Sequence, residues 1–130
     1  MLKNRLIPTL ALIAGVLLTL GVAAASAVKD ISSREASQLI GKNRNIFVLD
    51  VRTPDEYRQA HLKNAVLIPI NEMERRIREV PKNRPVLVYC AVGSRSASAA
   101  GFLGSQGYRE VYNIADGIVG WYRNGLPVVR

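Results

Sequence analysis

Short apolar runs alternate along this chain with segments that begin at helix-capping residues. Runs typical of buried strands occupy residues 46–49, 65–68, 85–89 and 109–114. Helices are indicated at residues 34–40, from Thr53-Pro54 onward, and at residues 72–80, 96–106 and 117–124. This alternation predicts an α/β fold, with a parallel sheet covered by helices on both faces. Ligands of such folds bind outside the carboxyl ends of the strands, reached here at Asp50 and Cys90.

Capping residues indicate where several of these helices begin and end. Ser32 and Glu35 have the spacing of a capping box. The segment Thr53-Pro54-Asp55-Glu56 combines an N-cap threonine, a first-turn proline and an acidic third position. We expect Gly41 and Gly107 to end the helices that they follow.

Composition limits the class of protein. The chain has 130 residues, of which 48% are apolar and 22% charged, as expected for one globular domain. With Cys90 and His61 as the single cysteine and histidine, an intramolecular disulfide, a four-cysteine zinc site and an iron–sulfur cluster are excluded for one chain. We therefore expect neither metal nor cofactor. The net charge of +8 is compatible with nucleic acid, an anionic surface or an anionic substrate, and selects none of them.

The N-terminus has the layout of a secretory signal. Lys3 and Arg5 precede an uncharged stretch, residues 6–25. Ala25-Ser26-Ala27 then places small residues where a signal peptidase reads, which predicts cleavage after Ala27.

An uncleaved membrane anchor is the alternative for this segment, because twenty uncharged residues are long enough to span a bilayer. We assign residues 1–27 to the signal peptide or anchor and residues 28–130 to the functional domain. Both alternatives place the domain outside the cytoplasm, in the periplasm or another extracytoplasmic compartment. A lone thiol, Cys90, would then work in an oxidising environment.

The clearest predicted strand ends at this cysteine. The segment Cys90-Ala91-Val92-Gly93-Ser94-Arg95-Ser96 joins the strand to a helix. Gly93 permits an unusual φ, so that successive N–H groups can turn inward as an anion cradle. The helix dipole and the Arg95 guanidinium add positive charge near the sulfur. These features favour the thiolate, which predicts a sulfur nucleophile that attacks an anionic substrate.

The active-site loop of protein tyrosine phosphatases resembles this loop, but it has five residues between its cysteine and its arginine. Here there are four, Ala91 to Ser94, and the ring of N–H groups is correspondingly tighter. The shorter loop favours a persulfide or a small sulfur anion over a phosphate ester. A phosphatase stays a minor alternative, with Asp116 as its one candidate general acid.

Four sequence blocks occur in the order found in single-domain rhodaneses. They are residues 48–57, residues 61–69, the Cys90 loop and residues 117–128. The chain therefore resembles a single-domain rhodanese, of the periplasmic, phage-shock type, across residues 31–128. It departs from the family pattern at Ala60, Asn64 and Ala115-Asp116, where glycines are usual.

The resemblance implies a single rhodanese-like domain with a parallel five-stranded sheet and helices on both faces. It implies a sulfurtransferase in which Cys90 carries the sulfur as a persulfide. The substrate-binding residues would be Ala91, Val92, Gly93, Ser94 and Arg95. The donor would be a small anion such as thiosulfate, and the acceptor a thiol, cyanide or a protein. A non-catalytic persulfide carrier is the alternative from a different functional class.

Residues beside the loop are assigned supporting roles. Asp50 would either orient the Cys90 loop or act in the structure alone. Arg52 is expected to form an ion pair with Glu56 at the strand end. His61 is not expected to act as a base, because sulfur transfer from a thiolate needs none. We expect packing roles for Trp121 and Tyr122, and a solvated helix face, with no nucleic-acid binding, for Arg75, Arg76 and Arg78.

Overall fold

The computed structural model describes residues 26–130, together with residue 3 and residues 14–17. In this part of the chain the strands are β1 (Val28–Ile31), β2 (Phe47–Asp50), β3 (Val66–Leu67), β4 (Val86–Tyr89) and β5 (Val111–Ile114). The helices are α1 (Ser33–Lys42), α2 (Pro54–Gln59), α3 (Met73–Arg76), α4 (Ser94–Ser105) and α5 (Gly117–Arg123). Single 3₁₀ turns at Ile70–Glu72 and Ile77–Glu79 flank α3.

The described strands form one parallel sheet in the order β1-β5-β4-β2-β3. The predicted α/β fold with a five-stranded parallel sheet is confirmed. Strand β4 lies at the centre, between β2 and β5. Its last residue, Tyr89, pairs with Asp50 of β2. The loop that begins at Cys90 therefore leaves from the middle of the carboxyl edge.

Alternate residues of the central strands pack into two separate cores. Val86 and Val88 of β4 belong to the core that contains α3 and α4. Leu87 and Tyr89 belong to the core that contains α1, α2 and α5. This alternation follows from the strand period of two, and it explains the continuous apolar runs of β2 and β4, which are buried on both faces.

Strand β1 was not indicated by the apolar pattern. Its side chains are mostly exposed, and only Ile31 is buried. The strand forms because its backbone pairs in parallel with β5, from Val28 opposite Val111 to Ile31 opposite Ile114. An edge strand held by backbone hydrogen bonds needs no apolar run, so propensity alone does not reveal it.

Several element boundaries differ from those predicted. Gly41 lies inside α1, which ends at Lys42 with Asn43 as the C-cap, so its predicted role as a helix terminator was wrong. The helix predicted over residues 72–80 is divided into α3 and the two 3₁₀ turns. Helix α4 begins at Ser94 instead of Ser96, because Gly93, at φ 100°, already ends the loop as the N-cap. Gly107, at φ 89°, follows α4 as expected.

The prediction of a signal peptide or anchor concerns residues 1–27, most of which lie outside the described part of the chain. Among the residues that are described, no helix combines the length and the apolar character that crossing a membrane requires.

Candidate active site

The sulfur of Cys90 lies inside a loop that leaves the central strand. The residue is completely buried, and it directly follows Tyr89, the last residue of a strand that is covered on both faces. Gly93 reverses the chain with a left-handed φ of 100°. The backbone then enters α4 at Ser94, so that the N-terminal turn of this helix faces back toward the sulfur.

Three hydrogen-bond donors converge on the Cys90 Sγ. The backbone N–H of Gly93 lies 3.2 Å from it, and both the N–H and the hydroxyl of Ser96 lie 3.3 Å from it. Burial by itself raises the pKa of the Cys90 thiol, but the hydrogen bonds from Ser96, Gly93 and Val92 outweigh burial and lower this pKa below its usual value. The site therefore stabilises a thiolate.

Two glycines, Gly93 in the loop and Gly117 at the start of α5, allow these two segments to approach closely. A Cβ atom at Gly93 would lie 2.1 Å from the carbonyl oxygen of Ala115, and one at Gly117 would lie 2.2 Å from that of Ala91. Gly117 also has a positive φ of 60°. Neither position accommodates a larger residue without a shift of the backbone. The close approach fixes the shape of the loop.

Arg95 forms a bidentate ion pair with Glu56 of α2. Its two terminal nitrogens donate to the Glu56 carboxylate at 2.7 and 2.9 Å. The Arg95 hydrogen bonds, together with those from Thr53, overcome partial burial and lower the pKa of Glu56 to about 2. The hydrogen bonds to Glu56 raise the pKa of the Arg95 guanidinium, and the nearby Cys90 thiolate adds to this effect. The predicted ion pair between Arg52 and Glu56 was wrong, because the loop arginine occupies this carboxylate.

Arg52 pairs instead with Asp50, in a buried network below the loop. The Asp50 carboxylate accepts hydrogen bonds from Arg52 at 2.7 Å and from the Tyr89 hydroxyl at 2.6 Å. Arg52 also donates to the carbonyl of Ala60 at 2.6 Å. Asp50 thus reaches the sulfur only indirectly, through Tyr89, which directly precedes Cys90. This geometry fits the structural alternative for Asp50.

Other candidate residues are engaged away from the sulfur. His61 stacks on the ring of Tyr57, and its Nδ1 lies 2.9 Å from the Tyr57 carbonyl oxygen. The Asp116 carboxylate accepts hydrogen bonds from the N–H and hydroxyl of Ser33, each at 2.8 Å. Asp116 therefore anchors the start of α1, which explains its presence without a role as a general acid.

The two aromatic residues of α5 differ in environment. Trp121 is buried, and its indole N–H donates to the Pro127 carbonyl at 2.9 Å, which confirms a packing role. Tyr122 is 58% exposed, so the prediction that it packs was wrong. The helix places the two neighbouring side chains on different faces, one toward the core and one toward solvent.

Sequence reasoning missed Ser96 as a donor to the sulfur and Glu56 as the partner of Arg95. Ser96 follows Gly93 by three positions, inside the first turn of α4, where free N–H groups are expected. That spacing was a usable signal for Ser96. Nothing in the sequence signalled the pairing of Glu56, because it depends on how α2 packs near the loop.

The comparisons with known proteins agree with this geometry. The rhodanese-like domain family matches residues 32–124. The chain is 38% identical over 102 residues to a sulfurtransferase of Allochromatium vinosum, covering 78% of this chain and 95% of that protein. It is 39% identical over 93 residues to the thiosulfate sulfurtransferase GlpE of Coxiella burnetii, covering 72% and 86% of the two chains.

A solved structure supports the same relationship. The rhodanese-related protein of Thermoplasma volcanium superposes with a TM-score of 0.71 at 33% identity. The match covers 78% of this chain and 97% of that one. From the matching family, the relatives and the fold, we conclude that the chain belongs to the rhodanese-like domain family.

Proposed function

We propose that this domain is a sulfurtransferase, which moves sulfane sulfur from thiosulfate or a similar donor to a thiophilic acceptor. The observation that carries the proposal is the convergence of the Gly93 and Ser96 donors on a single buried sulfur, Cys90. The names of the sulfurtransferase relatives support the same reaction class.

In the first half of the reaction, the Cys90 thiolate attacks the outer sulfur of the donor. With thiosulfate, a bond forms between Sγ and that sulfur, and the sulfur–sulfur bond of thiosulfate breaks. Sulfite leaves with the electron pair, and Cys90 holds a persulfide with one negative charge. The N–H groups that favour the thiolate would also stabilise the persulfide anion, because both place negative charge in the same cradle.

In the second half, the acceptor attacks the outer sulfur of the persulfide. The bond between that sulfur and Sγ breaks, and its electron pair restores the Cys90 thiolate. This is nucleophilic covalent catalysis with two separate half-reactions, for which ping-pong kinetics are expected. No step needs a metal or an organic cofactor.

Several loop residues would bind the donor together. We assign the N–H groups of Ala91, Val92, Gly93 and Ser94 to binding the anionic end of the donor, with Arg95 beside them. The pair with Glu56 leaves Arg95 oriented but partly neutralised. Arg95→Ala is therefore expected to raise the KM for thiosulfate more than it lowers kcat.

The central test is an intact-mass measurement of the protein after incubation with thiosulfate, without reductant. We expect a gain of one sulfur atom in the wild type and none in Cys90→Ser. A full persulfide with slow turnover to small acceptors would favour the carrier alternative. Absence of the adduct on a thiol shown to be free would contradict the proposal. Release of phosphate from an aryl phosphate would instead support the phosphatase alternative.

We also propose that the domain works outside the cytoplasm, in the periplasm, directed there by residues 1–27. The basic residues, the uncharged stretch and the small residues before Val28 support this proposal. Cell fractionation followed by N-terminal sequencing tests it. A mature chain that begins at Val28 indicates cleavage, membrane-bound full-length chain indicates an anchor, and full-length chain in the cytoplasm would contradict both.

A further inference from the structure

A pocket of about 420 Å³ opens beside the Cys90 loop. It is lined by Ala91 of the loop and by Ile118, Val119, Tyr122 and Arg123 of α5. The volume lies within the range of small-molecule sites, roughly 300–1,000 Å³. Thiosulfate, the proposed donor, and cyanide, one of the expected acceptors, are both far smaller than this. Either of them would leave most of the pocket empty.

Backbone hydrogen bonds hold this pocket against the Cys90 loop. The N–H of Ile118 donates to the carbonyl of Cys90 at 2.9 Å, and the N–H of Val119 donates to that of Ala91 at 3.1 Å. The first turn of α5 is thereby attached to the cysteine and to the residue that follows it. A molecule in the pocket would contact the Cys90 loop at Ala91, the residue after the cysteine.

The rim of this region exposes apolar side chains to water. Val92 is 61% exposed, Tyr122 58% and Val119 36%. Apolar residues that are exposed together, next to a reactive group, are typical of a binding surface. They favour a ligand with an apolar body.

The charges that line the pocket leave one cation unneutralised. Arg52 is paired with Asp50, and Glu56 is paired with Arg95. Arg123 is exposed, and it makes no ion pair or side-chain hydrogen bond with any residue that the structure describes. Charge complementarity therefore favours an anionic group on the ligand.

We propose that this pocket, lined by Val119, Tyr122 and Arg123, is the acceptor site, and that the acceptor is a small organic thiol with an apolar body and a carboxylate. The inference rests on the proposed sulfurtransferase function. The acceptor thiolate attacks the outer sulfur of the Cys90 persulfide. A sulfur–sulfur bond forms on the acceptor, the bond to Sγ breaks, and Sγ receives the electron pair, so the products are an organic persulfide and the Cys90 thiolate.

The test follows the second half-reaction alone. The protein is loaded with thiosulfate, desalted and mixed with para-mercaptophenylacetate or with para-thiocresol, which has the same ring without the carboxylate. Loss of the persulfide is followed by intact mass, and the half-saturating concentration is determined for each thiol. Comparing variants with one thiol at a time removes differences in intrinsic thiol reactivity.

Arg123→Gln should raise the half-saturating concentration of the carboxylate thiol, relative to the uncharged thiol, about fivefold. Tyr122→Ala should raise the values for both aryl thiols roughly tenfold, because both rings lose an apolar contact. Arg109→Gln is the matched control. It removes one exposed positive charge from the opposite end of β5, before Val111, and should change neither thiol's value.

An unchanged ratio in Arg123→Gln would overturn the assignment of the carboxylate. Unchanged values in Tyr122→Ala would overturn the pocket as the acceptor site. Failure of thiosulfate to load the wild type is a separate readout, and it would contradict the sulfurtransferase function itself. Thermal unfolding of each variant confirms that the exposed substitutions leave the fold intact.

Discussion

At the scale of single residues, burial and hydrogen bonding act on Cys90 in opposite directions. Burial penalises the charged thiolate, whereas the donors from Gly93 and Ser96 stabilise it. The Ser96 hydroxyl lies 3.3 Å from Sγ and 3.2 Å from the Gly93 carbonyl oxygen. It has a single proton, which a thiolate attracts more strongly than a neutral carbonyl does. Ser96 is therefore expected to hold the sulfur in its reactive form.

Ser96→Ala should raise the pKa of Cys90, because a hydrogen bond to the charged form is lost. Activity at neutral pH should fall and should recover at alkaline pH, where the thiolate forms again. Ultraviolet absorbance of the thiolate during a pH titration measures the pKa directly. Ser98→Ala, at an exposed position of the same helix, is the control. A titration curve identical to that of the wild type would contradict the role of Ser96.

At the scale of elements, the connection from β4 to α4 sets the site. It is short, and it reverses direction at Gly93 in a conformation that residues with a side chain rarely adopt. The same glycine allows the carbonyl of Ala115 to approach the loop. The glycine thus combines two requirements, a left-handed φ and a close backbone contact, and each excludes a Cβ atom.

Gly93→Ala should reduce the free energy of unfolding by about 2–4 kcal/mol, from backbone strain and overpacking. Persulfide loading should also fall, because the loop must move away from Ala115. Gly101→Ala is a matched control in α4, where a Cβ atom meets nothing within 4 Å. That change should stabilise the protein by about 0.5–1 kcal/mol, through helix propensity. Urea unfolding of both variants separates these effects, and equal stabilities would contradict the strain argument.

At the scale of the whole molecule, the carboxyl edge of the sheet gathers groups that are distant in the chain. Glu56 and Arg95 come from helices that follow different strands, yet they form a bidentate pair. The pair links α2 to the Cys90 loop, and α2 packs in the core opposite to that of α4. It therefore connects the two sides of the sheet at the functional edge.

This pair gives stability a definite pH dependence. The pKa of Glu56 is lowered in the folded protein to about 2, from 4.5 for an ordinary glutamate. The ion pair contributes fully to stability at a pH above 4.5, the pKa of Glu56 in the unfolded chain. This contribution is lost as the pH falls toward about 2, the pKa of Glu56 in the folded protein. In Glu56→Gln, the free energy of unfolding should depend less on pH than in the wild type, between about pH 2 and pH 4.5. Glu74→Gln, which removes an exposed carboxylate, is the control, and equal pH dependence in both variants would contradict the assignment.

Local chemistry made most of the fold predictable. The apolar runs of β2 and β4 are buried on both faces, and the capping boxes at Ser32 and Thr53 begin α1 and α2 as expected. The boundaries that failed, at Gly41 and over residues 72–80, depend on packing against neighbouring elements. Strand β1 was missed for the same reason, since its partner β5 lies some eighty residues away in the chain.

The sequence by itself determined the alternation of strands and helices, and the place of Cys90 at the end of a buried strand, because both depend on neighbouring residues. The tertiary structure alone decided which carboxylate meets which arginine. Glu56 pairs with Arg95 and Asp50 with Arg52, against the pairing that proximity in the chain suggested. An ion pair forms between groups that the packed sheet and helices bring within a few ångströms, and sequence spacing does not contain that distance.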